Sequence, residues 1–163
     1  MKESPWAGPE RRHMRAAISA ARRGIAKGQT PFGSCIVRGG RRICCAHNRV
    51  WQTTDITAHA EIVAIRRACA ILRTVDLSGC VLYSTCEPCP MCLSAIHWAR
   101  VPLLVFGARI ADAANAGFNE ILLSNEEFSR RGCLRVEIYA DFMRAECGVL
   151  FSEWSAAKRA SAY

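Results

Sequence analysis

The chain has 163 residues, 51% of them hydrophobic, and a formal net charge of +8. That length and apolar content suit one domain with a core of its own. The first residues, Met1-Lys2-Glu3-Ser4-Pro5, carry no apolar export signal, and no apolar run approaches the roughly 20 residues of a membrane span, so no membrane partner and a cytoplasmic location are expected. Ten cysteines would suggest a disulfide scaffold in a small secreted chain, but this one has neither that size nor that signal. Cys35, Cys44, Cys45, Cys69, Cys80, Cys133 and Cys147 are therefore expected to be reduced thiols serving as small apolar residues.

In chain order, residues 1–10 are expected to be disordered and residues 11–163 to form a single domain. Apolar spacing predicts a helix over residues 11–26 that stops at Gly28. Strands over residues 34–37 and 42–47 should pair across Gly39-Gly40. A helix over residues 58–72 carries Ile62, Ile65, Cys69 and Leu72 at helical spacing. A strand over 80–84, a helix over 90–99 and a strand over 103–107 follow. A helix or loop near residues 111–123 precedes a strand over about 134–139 and a last helix over about 141–160. Strands alternating with helices imply a layered α/β sandwich.

Charge is unevenly spread. Residues 1–75 hold 14 Lys and Arg against 4 Asp and Glu, whereas residues 76–163 hold 8 against 10. A basic half can steer an anionic partner such as RNA. The arginines are scattered over several elements without an interleaved aromatic platform, so a solvated face is favoured over a nucleic-acid surface.

His59-Ala60-Glu61 is followed twenty-seven residues on by Pro88-Cys89-Pro90-Met91-Cys92. One histidine and two cysteines three apart are three soft or borderline ligands, which leave the fourth position of a tetrahedral Zn²⁺ open to water. A zinc-bound water has a pKa near 7, and a carboxylate beside the metal can carry its proton to a ring nitrogen and then to a leaving amine. Glu61 is placed for that task. Cys89 and Cys92 fall on one face of a first helical turn opened by Pro90, and His59 and Glu61 fall on another first turn, so two helix N-termini should meet at one metal. Cys86 extends the run to Cys86-x-x-Cys89-x-x-Cys92, which with His59 could also build a closed structural site; a closed site leaves Glu61 without a task.

The spacing resembles the H-x-E…P-C-x-x-C signature of zinc nucleobase deaminases. From Pro31-Phe32-Gly33 through Asn48, Thr57-Ala58-His59-Ala60-Glu61, Ser84-Thr85-Cys86-Glu87-Pro88-Cys89-Pro90-Met91-Cys92 and Ala116-Gly117-Phe118, the chain resembles the cytidine deaminase superfamily, and within it the bacterial guanine deaminases. The resemblance implies a three-layer α/β/α sandwich with a central five-stranded mixed sheet, one Zn²⁺ per chain, a homodimer, and hydrolysis of a small nucleobase, guanine, to xanthine and ammonia. It makes His59, Cys89 and Cys92 the zinc ligands and Glu61 the proton shuttle. It gives Asn48, Phe32, Ala60 and Tyr163 to the substrate, Tyr163 because these enzymes close on a tyrosine whose segment covers an active site of the dimer. Glu120 matches a second catalytic carboxylate, although the family commonly has Phe-Asp-Asp where this chain has Phe118-Asn119-Glu120. The alternative is a tRNA adenosine deaminase, which Val105-Phe106-Gly107-Ala108-Arg109 and the basic half also resemble. Cytosine, isocytosine and triazine deaminases share the zinc chemistry, and a zinc-stabilised interaction domain is the non-enzymatic alternative.

Overall fold

A computed structural model describes residues 8–157 and 161–163. Met14, Ala17, Ile18, Ala21 and Ile25 recur every three or four residues, and they form the buried face of helix α1, Arg11–Ala26. Strands β1, Gly33–Arg38, and β2, Arg41–His47, pair antiparallel; Gly39 and Gly40 both have positive φ, as a two-residue hairpin turn of this twist requires. A single turn, α2, Val50–Thr53, leads to α3, Ala60–Leu72. Strand β3, Cys80–Cys86, helix α4, Pro90–Trp98, and strand β4, Leu103–Ala108, then form a strand–helix–strand unit. The last third holds α5, Ile110–Asn115, α6, Asn125–Gly132, β5, Glu137–Tyr139, and α7, Arg144–Ala157.

The sheet order is β2-β1-β3-β4-β5, with β1 antiparallel to β2 and β3, and β3, β4 and β5 mutually parallel. Every residue of β3 and β4 is buried, because both faces of the sheet are covered. Val81, Tyr83 and Val105 point to the side of α1 and α7, where they meet Met14, Cys147 and Leu150. Leu82, Leu104 and Phe106 point to the opposite side, against Val63, Ala68, Leu93 and Ile96 of α3 and α4. Each such apolar side chain contributes roughly 1.5–3 kcal/mol by leaving water. The expected three-layer sandwich around a five-stranded mixed sheet is therefore the fold found. Among the described residues, no helix is long and apolar enough to cross a membrane.

Several boundaries differ from expectation for local reasons. Residues 1–7 of the N-terminal segment lie outside the described residues, while Glu10 donates its backbone N–H to the Tyr83 hydroxyl at 3.1 Å. The last helix starts at Arg144 because Asp141 and Met143 adopt left-handed φ of 62° and 57°; its expected end at residues 158–160 lies outside the described residues. Helix α6 was not expected, although Ser124 caps it by accepting from the Glu127 N–H and its acidic first turn and basic last turn suit the helix dipole. Cys35 and Cys45, expected as reduced thiols, stand directly opposite each other on β1 and β2 with Cα atoms 4.1 Å apart and are joined as a disulfide. Cys44, Cys69, Cys80, Cys133 and Cys147 are free, as expected.

Register places the functional end. The start of β1 lies beside the end of β3, with Ser34 paired to Ser84, and the end of β2 beside the start of β1, with His47 paired to Gly33. The carboxyl ends of parallel β3 and β4 share that edge, the usual location of a ligand crevice in such sheets. Gly33 lets α1 approach this corner closely: a Cβ there would overlap the Ala17 carbonyl oxygen and lie 2.8 Å from the Ala21 nitrogen. Backbone atoms cannot swing aside as a side chain can. Gly33→Ala is thus expected to cost about 1–3 kcal/mol, read as a lowered midpoint in thermal unfolding.

Candidate active site

His59 and Cys89 occupy equivalent positions, each the extended N-cap residue of a helix, α3 and α4 respectively. Pro90 is the first helical residue after Cys89, and Cys92 lies in the same first turn. His59 Nδ1 is 3.7 Å from Cys89 Sγ and 3.6 Å from Cys92 Sγ, and the three atoms lie within 4.8 Å of one another. A tetrahedral ion with metal–sulfur and metal–nitrogen distances of about 2.3 and 2.0–2.1 Å sets neighbouring N and S ligands roughly 3.5 Å apart. The spacing and the donor types both fit zinc. The Cys89 thiol is lowered to about 4 by the hydrogen bond from Cys92 and, against burial, by His59, while Cys92 is pushed up by that same bond and by burial. A cation bound between them would favour the thiolate form of both. Burial pulls His59 down, but Cys89 and the charges of Glu61 and Glu120 outweigh it and raise the imidazole.

Glu61 stands in the first turn of α3, 5% exposed. Its Oε1 accepts from the Ser84 hydroxyl at 2.8 Å, and its Oε2 is 3.6 Å from Cys92 Sγ. Burial raises its carboxyl above the usual range, with His59 opposing. Ser84 belongs to the motif that carries the resemblance but was given no role of its own, since a lone serine at a strand end carries no chemical signal. Cys86 lies outside the His59–Cys89–Cys92 group: its thiol, pushed well up by burial, donates to the Arg109 carbonyl at 3.6 Å. The closed four-ligand site therefore has no support in the geometry.

Beside this group opens a cavity of about 290 Å³ lined by Ile56, His59, Cys89, Met91, Glu120 and Tyr163, among others. Glu120 is raised to about 6, first by burial and then by the Cys89 charge, with His59 opposing. The Tyr163 ring sits 5.8 Å from that of His59 and meets Phe118 and Trp51 edge-on, at 6.1 and 6.2 Å. Its hydroxyl accepts from Asn48 Nδ2 and lies 3.4 Å from Thr30 Oγ1, and its carbonyl accepts from the Asn119 N–H at 3.4 Å. Trp51 Nε1 donates to the Ser161 carbonyl at 3.0 Å. Asn48 is fully buried, its Oδ1 accepting from the Val50 N–H at 3.0 Å. Phe32 stands one layer behind, its ring 4.9 Å from Phe118 and its carbonyl accepting from the Asn48 N–H; Ala60 is wholly buried at the start of α3. Of the four residues expected to meet the substrate, only Tyr163 lines the cavity; Asn48, Phe32 and Ala60 do not. Thr30, Trp51, Ile56, Met91 and Ile121 were missed as cavity or lid residues, because no periodicity marks them.

A model of the cytidine and deoxycytidylate deaminase zinc-binding region matches residues 8–108, and the chain belongs to that family of zinc-dependent hydrolytic deaminases. Within it, the chain is 44% identical over 114 residues to a guanine deaminase of Bacillus subtilis, covering 69% of this chain and 73% of the relative. It is 36% identical over 140 residues to a tRNA-specific adenosine deaminase of the same organism, covering 86% and 84%. The solved guanine deaminase of Nitrosomonas europaea superposes with a TM-score of 0.81 at 28% identity, covering 94% of this chain and 89% of that one.

The geometry predicts a split between neighbouring cysteines. Cys86→Ser should retain one zinc per chain by elemental analysis, whereas Cys89→Ser and Cys92→Ser should each lose most of it.

Proposed function

We propose that the protein hydrolyses free guanine to xanthine and ammonia, as one deaminase domain over residues 11–163 that is cytoplasmic and works as a homodimer. The observation that carries a free base over a polynucleotide is Tyr163, whose ring and hydroxyl roof the cavity between His59 and Asn48 and bring the wall that holds Glu120 with them. A flat polar heterocycle fits beneath such a roof, which excludes water and so strengthens every charge inside.

His59, Cys89 and Cys92 would hold the zinc, which when bound would supply a water acidic enough to attack near neutral pH. Glu61 would take the first proton of the attacking water on Oε2, the oxygen that faces the metal group, and pass it to the ring nitrogen beside the amino-bearing carbon; it would then collect the second proton from the hydroxyl newly joined to that carbon and hand it to the leaving amine. Ser84 keeps the carboxylate turned for this by engaging Oε1. Glu120 hydrogen-bonds the polar edge of the base, Asn48 serves it at one remove by holding the Tyr163 hydroxyl over the cavity, and Phe118, itself packed on Phe32, backs the Tyr163 ring. The tRNA-specific relative covers more of the chain, and the first 75 residues are strongly basic, which supports deamination of a flipped tRNA adenosine as the second reading.

An ammonia-release screen over guanine, adenine, cytosine, their nucleosides and tRNA separates the two: guanine should be turned over in strong preference, and turnover of tRNA with silence on every free base would sink the first reading. Glu61→Gln should keep its zinc and lose activity toward the upper end of roughly 10²–10⁴-fold, since two proton transfers depend on one group. Loss of zinc together with Glu61 would contradict its role as a shuttle.

The wall and the roof are tested separately. Glu120→Gln should lower kcat/KM on guanine about 10- to 10²-fold with zinc affinity nearly unchanged. Tyr163→Ala should leave zinc content and melting behaviour close to the parent while cutting turnover; unchanged kinetics would return Tyr163 to a surface role.

A further inference from the structure

Glu87 is 5% exposed, yet it is neither in the metal group nor on the cavity wall. Its carboxylate accepts two backbone N–H groups from distant parts of the chain, Ile110 on Oε2 at 3.1 Å and Asn125 on Oε1 at 2.7 Å. These are the first residues of α5 and α6, whose N–H groups have no partner within their own helices. Asn125 adds a second tie at the same end, its Nδ2 donating to the Pro88 carbonyl at 2.7 Å. The Glu87 N–H itself donates to the Ala108 carbonyl at 2.7 Å, which ties Glu87 to the end of β4.

One buried side chain, two residues before Cys89, thus fastens both ends of residues 110–125. Residues 116–124 between the two helices have no regular structure, so their path is set by how their ends are held. That stretch carries Asn119, Glu120 and Ile121 on the cavity wall and Phe118 against Tyr163. A carboxylate suits the task better than any neutral group, because each oxygen meets the positive end of a helical turn.

We propose that Glu87 is a positioning residue that clips the start of α5 to the start of α6 and thereby sets where Glu120 stands relative to His59 and Cys89, and so which base the cavity accepts. This rests on the reading of Glu120 as a base-contacting group. The clip and that reading fail in different measurements.

The test uses the zinc-loaded protein with Glu87→Ala, and with Glu87→Gln, which keeps one acceptor oxygen, in case the alanine variant does not fold. Amide hydrogen exchange over residues 110–125 reads the clip without any substrate. It should quicken about 10- to 10²-fold in the variants while zinc stays at one per chain; unchanged protection overturns the proposal. In kinetics, kcat/KM on guanine should fall by no more than the roughly 10- to 10²-fold loss of Glu120→Gln, and adding the Glu87 change to Glu120→Gln should cost little more than Glu120→Gln alone. Multiplying losses would overturn the positioning role. Faster exchange in a protein whose parent hydrolyses no guanine would support the clip and sink only the substrate reading.

Discussion

Helix N-termini hold acidic side chains out of water near the carboxyl ends of β3 and β4. Cys89 caps α4, Glu61 lies in the first turn of α3, and Glu87 takes the first N–H of both α5 and α6. An isolated buried carboxylate or thiolate is costly, and each of these is offset by backbone donors, by the helix dipole or by a cation. The sheet order makes the convergence possible, since parallel β3 and β4 deliver their following helices to one edge while antiparallel β1 and β2 bring Phe32 and Asn48 to the same place. The site is thus a consequence of strand direction as much as of residue type.

The metal residues were legible in the sequence because their chemistry is local: Cys89 and Cys92 share a turn, and His59 and Glu61 are two apart at another. The central elements were legible because β3 and β4 are buried on both faces and α1 on one, which leaves plain patterns of apolar residues. What depends on long-range register was not. The Cys35–Cys45 link requires knowing that the hairpin sets those positions opposite each other, and composition argued against it. The tasks of Ser84 and Glu87 depend on partners 23 to 38 residues away. Helix α6 has a cap and a favourable charge gradient but only one buried residue, so an apolar pattern could not reveal it.

Pro31-Phe32-Gly33 shows how one motif can carry two meanings. It is part of the resemblance to the deaminases, yet the reason for Gly33 at this corner is steric, since α1 passes too close to admit a Cβ. Phe32 likewise acts at one remove, through Phe118 on Tyr163. The shape of this end therefore depends on edge-on ring packing behind the cavity as well as on the polar groups within it.

The Ser84 hydroxyl occupies one oxygen of Glu61 and leaves the other facing the metal group. In the proposed reaction the carboxylate then has a single seat for a proton. The proton must arrive, be handed to the base and be collected again through that one atom, with no second oxygen to receive it from bulk solvent. Each turnover ends with the shuttle in the ionisation state in which it began, one proton of the water left on the base and the other carried off on ammonia. The enzyme is in this sense closed to outside proton carriers, and its chemical step should proceed at the same pace in dilute and in concentrated buffer.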